Sequence, residues 1–170
     1  KDDDGNILEF GKQKINALEE IIDETDDKII IWANYIYNIE QIKQFLTNKY
    51  GKDSFVEIYG ATKVKDRQQA IESFQNDPKV RFFVSNPTTG GYGLTLTAAN
   101  TVVYFSNNYN LEVRKQSEDR AHRSGQKGTV VIIDIITQNT IDEKIMKALT
   151  KKGQIAAKTL GEEELKDWLL

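Results

Sequence analysis

Short apolar runs alternate with amphipathic stretches along most of this 170-residue chain. After a polar lead-in over residues 1–10, Ile15, Leu18, Ile21 and Ile22 recur at helical spacing. The acidic stretch Asp23-Glu24-Thr25-Asp26-Asp27 separates them from Ile29-Ile30-Ile31-Trp32-Ala33. A continuous apolar run of that kind suits a strand covered on both faces. The same alternation repeats. Ile36, Ile39, Ile42 and Phe45 predict a helix, and residues 55–59 a strand. Residues 65–74 predict a helix with Ala70, Ile71 and Phe74 on one face. Segments 80–84, 101–105 and 129–133 predict three more strands; 111–121 and 141–149 predict helices. The tail over 151–170 reads as helical and polar, with Leu165, Trp168, Leu169 and Leu170 as a short apolar anchor. Strands alternating with helices predict an α/β fold with a doubly wound parallel sheet over 1–150, followed by a helical extension over 151–170. In such sheets ligands gather where strands end, which singles out the loops after Tyr59, Val84 and Phe105.

Composition narrows the function classes. At 39% hydrophobic and 29% charged residues the chain reads as a soluble, globular single domain. No apolar run approaches the roughly 20 residues of a membrane span, and no signal-peptide pattern opens the chain. The absence of cysteine removes disulfide frameworks, thiolate metal sites and cysteine nucleophiles, and a lone histidine, His122, removes multi-histidine metal sites. Met146 is the only methionine, so Lys1 is not expected to be a natural start and the chain is expected to be a fragment. The formal net charge of -3 means that contact with nucleic acid must come from a local patch or a partner.

Chemistry concentrates in Gln116-Ser117-Glu118-Asp119-Arg120-Ala121-His122-Arg123-Ser124-Gly125-Gln126. On a helix, Gln116, Asp119, Arg120 and Arg123 would share one face. Two guanidinium forks one turn apart suit a polyphosphate, with Asp119 holding one of them and Gln116 orienting a neighbour. Spacing alone favours a solvated, salt-bridged helix face, since Arg-x-x-Arg is common. His122 reads as packed or hydrogen-bonded. A second segment, Gly90-Gly91-Tyr92-Gly93, permits positive φ and close approach of backbone amides to phosphate, with Thr88, Thr89 and Thr95 as further donors. An ordinary tight loop remains open there. Thr62 precedes a helix with Asp66 in its first turn, which also suits a helix cap. Lys63, Lys65 and Arg67 form a modest basic cluster, and Asp23 to Asp26 reads as a solvated turn.

The string Gln-x-x-Asp-Arg-Ala-His-Arg-x-Gly-Gln resembles the last helicase motif of Swi/Snf-type, DNA-dependent ATPases of helicase superfamily 2. Tyr59-Gly60-Ala61-Thr62 with Arg67-Gln68 and Ile71-x-x-Phe74 is similar to that family's Gly-x-Thr loop and following helix. Residues 90–99 resemble its Gly-Gly-x-Gly-x-x-Leu-x-x-Ala segment, and 130–149 its closing strand and helix, including Thr140-Ile141-Asp142-Glu143-Lys144-Ile145. The likeness is continuous over about residues 15–149. It implies a RecA-like helicase C-terminal lobe, a P-loop NTPase-like fold without its own P-loop. It further implies that Arg120 and Arg123 act as arginine fingers on ATP, supported by Gln116 and Asp119. Gly91 and Gly93 would lie at the nucleotide, and Gly60, Thr62, Lys63, Thr88, Thr89 and Gly90 on double-stranded DNA.

This chain departs from the pattern at Ser106 and Asn107, where an acidic residue and a proline are usual, at Tyr109-Asn110-Leu111 in place of Trp-Asn-Pro, and at Pro87-Thr88-Thr89 in place of Ser/Thr-x-Ala. Those departures resemble bacterial or phage members, which would put the protein in the cytoplasm of a bacterial or phage-infected cell.

No Gly-x-x-x-x-Gly-Lys-Ser/Thr loop occurs; Gly11-Lys12 and Gly51-Lys52 lack the upstream glycine and the following hydroxyl. By the resemblance, ATP and Mg2+ are held mainly by an N-terminal RecA-like lobe of the same parent chain, and this fragment alone is expected to be inactive. The parent would be a DNA translocase that tracks DNA without separating its strands. A rival from another class is a non-catalytic RecA-like module that binds protein or nucleic acid, against which the full arginine motif speaks. A dinucleotide-binding enzyme would need Gly-x-Gly-x-x-Gly after the first strand, and that is absent.

Overall fold

The computed structural model describes residues 10–60, 62–90, 94–126 and 128–160. Five parallel strands form one sheet: β1 (Lys28–Trp32), β2 (Phe55–Ile58), β3 (Phe82–Ser85), β4 (Ala99–Tyr104) and β5 (Val131–Asp134), in the order β2-β3-β1-β4-β5. The first strand in the chain lies at the centre, so the chain winds outward in one direction, returns, and winds outward in the other. Register is direct: Ile30 stands between Phe83 of β3 and Val102 of β4. The predicted strands are all found, each within a residue or two of its expected bounds.

β1 explains why the sheet is central. Ile29, Ile31 and Ala33 point to one face and Ile30 and Trp32 to the other, and all five are fully buried. The first face is covered by α1 (Phe10–Asp23) and α2 (Ile36–Tyr50), whose Leu18, Ile22, Ile39, Ile42 and Leu46 pack on Phe82, Val84, Val103 and Phe105. The opposite face takes Phe74 from α3 (Val64–Asn76), together with Leu94, Leu96 and Ala121. Because β3 and β4 are parallel, the chain between them must return from the carboxyl end of one to the amino end of the other. It does so across this second face, with Leu94 and Leu96 anchoring it.

Two helices differ from expectation. The helix predicted over 111–121 is α4 (Leu111–Glu118) and stops three residues early. The last helix, α5 (Ile141–Leu160), runs without a break through residue 150, so the boundary expected there falls inside a helix. No helix among the described residues is long and apolar enough to cross a membrane.

Candidate functional site

α4 starts cleanly because the Asn110 side chain accepts hydrogen bonds from the N–H groups of Glu112 and Val113, at 3.0 and 3.2 Å. Its end is set by the Glu118 carbonyl, which receives both Ala121 N–H (3.1 Å) and His122 N–H (3.2 Å). The helix closes there, with Asp119 as C-cap. Residues 119–126 are therefore a turn, and this overturns the shared helix face expected for Gln116, Asp119, Arg120 and Arg123. Gln116 is exposed and donates to Glu112, at 3.1 Å. Asp119 is exposed, and no ion pair joins its carboxylate to Arg120. His122 is exposed instead of packed.

The two arginines part company. Arg120 is only 6% exposed, and its Nε and Nη1 have no hydrogen-bond partner. Burial first, and then the nearby charge of Arg123, push its pKa below the ordinary arginine value. Arg123 is exposed and reaches the Thr95 hydroxyl, at 3.3 Å. Two bonds tie the turn to the entry of β4: Leu96 N–H, in the segment before the strand, donates to the Arg120 carbonyl (3.0 Å), and Gln126 Nε2 donates to the carbonyl of Ala99, the first residue of β4 (2.8 Å). The arginine turn thus sits beside the start of β4, on the face that carries Trp32 and Tyr104, and away from the carboxyl rim where ligands were expected to gather. Trp32 Nε1, fully buried on that face, is also without a partner.

The carboxyl rim has its own order. Asn34 N–H donates to Ser106 Oγ (2.9 Å) and its Nδ2 to the Ser106 carbonyl (2.6 Å). Asn86 Nδ2 donates to the Asn34 carbonyl (2.8 Å) and Asn108 Nδ2 to Asn34 Oδ1 (2.7 Å). One residue thereby joins the loops after β1, β3 and β4. Beyond β3, Pro87–Gly90 forms a 3-10 turn in which Asn86 Oδ1 accepts from Thr88 N–H (2.8 Å) and the Thr88 hydroxyl (2.5 Å). Thr88 is exposed and Thr89 half-buried; Gly91 and Gly93 lie outside the described residues. At the β2 end, the Thr62 hydroxyl accepts from Tyr59 N–H at 3.1 Å, and the Thr62 carbonyl from Arg67 Nε at 2.9 Å. Thr62 closes the loop and does not cap α3, whose N-cap is the exposed Lys63. Gly60 is exposed with open space around it.

Sequence reasoning missed Arg114. It is 6% exposed, and its fork is bidentate on Asp134, Nη1 to Oδ1 at 2.6 Å and Nη2 to Oδ2 at 3.0 Å. Nε pairs with Glu118, Nη1 also reaches Asn107 Oδ1 (2.9 Å), and the guanidinium lies 3.4 Å from the Tyr104 ring centre. The paired carboxylates outweigh burial and hold the Arg114 pKa above its ordinary value. Arg114 and Glu118 four residues apart, and a lone aspartate ending an apolar strand, were the available signals.

A doubly wound parallel sheet, with an arginine turn locked to the segment that crosses one face, defines a RecA-like helicase C-terminal lobe. The chain belongs to the helicase conserved C-terminal domain family, whose pattern matches residues 13–125. It is similar to the helicase SWR1 of Candida glabrata, with 31% identity over 155 residues that cover 89% of this chain and 11% of that protein. It is likewise similar to the chromatin-remodeling ATPase INO80 of Lodderomyces elongisporus, 31% identical over 150 residues, 88% of this chain and 9% of that one. The chain thus spans about a tenth of those relatives.

Among solved structures, the C-terminal part of the Fun30 ATPase domain superposes with a TM-score of 0.75 at 30% identity, covering 85% of this chain and 48% of that one. The SWI2/SNF2 ATPase core of Sulfolobus solfataricus in complex with double-stranded DNA gives 0.64 at 30% identity, over 85% and 30% of the two chains. These relatives lend no support to the bacterial or phage origin expected from the departures.

Proposed function

We propose that this lobe is the second motor domain of an ATP-dependent, double-stranded DNA translocase, and that Arg120 and Arg123 complete the ATP site of an N-terminal lobe in the same parent. The observation that carries the reading is Arg120: a buried guanidinium with two N–H-bearing nitrogens unpartnered. Burying a charge without a partner is costly, so such a group points to an anion supplied from outside the lobe. A triphosphate fits that donor set, and ATP would bring the phosphoanhydride bond whose cleavage powers movement. Arg120, held by its own carbonyl to Leu96, would be the fixed donor; Arg123, on the exposed side of the turn and bonded to Thr95, would turn toward the phosphates. The two guanidinium groups add positive charge where negative charge grows. The reading gives ATP and Mg2+ mainly to the N-terminal lobe.

Duplex DNA is read onto the rim loops, where Gly60, Thr62, Lys63, Thr88, Thr89 and Gly90 stand at the ends of β2 and β3. Lys63 and Thr88 are exposed there for phosphate contact. The test is ATP hydrolysis by the full-length parent with and without duplex DNA, wild type against Arg120→Ala and Arg123→Ala. DNA-stimulated turnover lost in both folded variants supports the reading; normal turnover in them removes it.

A further inference from the structure

The inward side of α4 is unusual for a helix on a hydrophobic sheet. Its buried residues are Arg114, Ser117 and Glu118, and none is apolar. Apolar packing is non-directional and tolerates sliding, so it does not fix this eight-residue helix against β4 and β5. Directional contacts do. The Arg114 fork grips Asp134 at the end of β5 with two bonds, takes Asn107 Oδ1 in the loop after β4, and stacks on Tyr104. The Tyr104 hydroxyl meets Ser117 Oγ at 2.5 Å.

The same guanidinium pairs through Nε with Glu118, the last residue of the helix. Glu118 is also the residue whose carbonyl receives Ala121 and His122 and so starts the arginine turn. A continuous set of bonds therefore runs from the sheet, through Arg114 and Glu118, to the backbone that carries Arg120. An ion pair this buried contributes little net stability compared with an apolar replacement, whereas fixing register is the best-attested use of such pairs.

We infer that Arg114 is a positioning residue for ATP hydrolysis: its bidentate fork sets the register of α4 on the sheet and thereby the placement of Arg120 and Arg123. This rests on the reading of those two as arginine fingers. It also accounts for one departure of this chain from the family pattern. Asn107 suits its place because Asp134 and Glu118 already neutralise the buried fork, and a neutral carboxamide can both accept from Arg114 and donate to Asp134, the latter at 2.6 Å.

The experiment uses the full-length parent carrying Arg114→Lys, which keeps the charge and loses the fork. Glu118→Gln is its companion, keeping shape and a hydrogen-bond acceptor should the lysine variant fail to fold. Steady-state hydrolysis with duplex DNA is expected to show kcat lowered at least tenfold, with KM for ATP and the Kd for DNA within threefold of wild type and a cooperative thermal transition retained. Single-turnover rates then test the route: added to the double variant Arg120→Ala/Arg123→Ala, Arg114→Lys is expected to cost no further rate. A kcat within twofold of wild type in both variants overturns the inference, and so does a loss that multiplies fully with that of the double variant. Failure of the underlying reading looks different, because Arg123→Ala alone would then hydrolyse ATP as fast as wild type.

Discussion

The backbone N–H of Leu96 donates to the Arg120 carbonyl at 3.0 Å, which fastens the segment crossing the sheet to the turn that carries the arginines. Whatever displaces one must displace the other. In the proposed motor this bond, beside that of Arg123 to Thr95, couples the chain after the glycine-rich segment to the ATP-facing turn.

Arg120 sets function against stability. Arg120→Met removes a buried, partly unsatisfied charge while keeping most of its volume, so the isolated lobe is expected to gain about 1–2 kcal/mol or stay unchanged. Turnover of the parent is expected to fall by about 10³-fold or more. Urea denaturation of the lobe beside ATPase assays of the parent checks both; a strongly destabilised variant would show that Arg120 has a structural partner.

Asp134→Ala should act in the opposite sense. It strips the bidentate acceptor from Arg114 and leaves Glu118 as the remaining carboxylate. Breaking such a buried pair costs about 3–5 kcal/mol, and partial exposure of Asp134 with the surviving partner brings the expected loss to about 2–3 kcal/mol. The denaturant midpoint, at unchanged slope, is the measurement.

Lys63→Ala is expected to weaken duplex binding uniformly across sequences. One phosphate contact fewer lowers the slope of log affinity against log salt by about 0.9. Titration of the parent with duplex DNA at several salt concentrations reads it; an unchanged slope would remove Lys63 from the DNA contacts.

On the far side of the molecule Lys49 donates to Asp23 at 3.0 Å, and Tyr50 adds a bond at 3.2 Å. The Lys49 bond holds the Asp23 pKa below its usual value. A depressed carboxylate contributes stability above its unfolded pKa, about 3.9, and that contribution is lost as pH falls through the lower folded value. Asp23→Asn should therefore cost a little stability at neutral pH, match wild type in strong acid where Asp23 is protonated, and so flatten the acid limb, an effect that salt erases because the pair is exposed.

The strands were legible because their chemistry is local. Ile29 to Ala33 is apolar without interruption, and only a central strand between two covered faces needs that. The end of α4 was not legible. Asp119, Arg120, Ala121 and His122 are tolerable helix residues, and what turns them aside is tertiary: Leu96 takes the Arg120 carbonyl, and Glu118 is pinned by Arg114. The Arg114 pair was out of reach for a similar reason, since Asp134 lies twenty residues away on a strand whose pairing only the folded sheet reveals. The arginine motif itself was readable; its division into one sunken and one exposed guanidinium was not.

The rim built around Asn34 has a chemical consequence. Asn34, Asn86 and Asn108 lock three loops together using carboxamides, groups that carry no charge and do not titrate. A lattice of carboxylates and ammoniums could have held the same loops, but it would have repelled an approaching polyanion or competed with it for cations, and it would have loosened with acidity and salt. Neutral cross-links leave this edge indifferent to both, so its shape persists in the ionic conditions that most change the strength of phosphate binding.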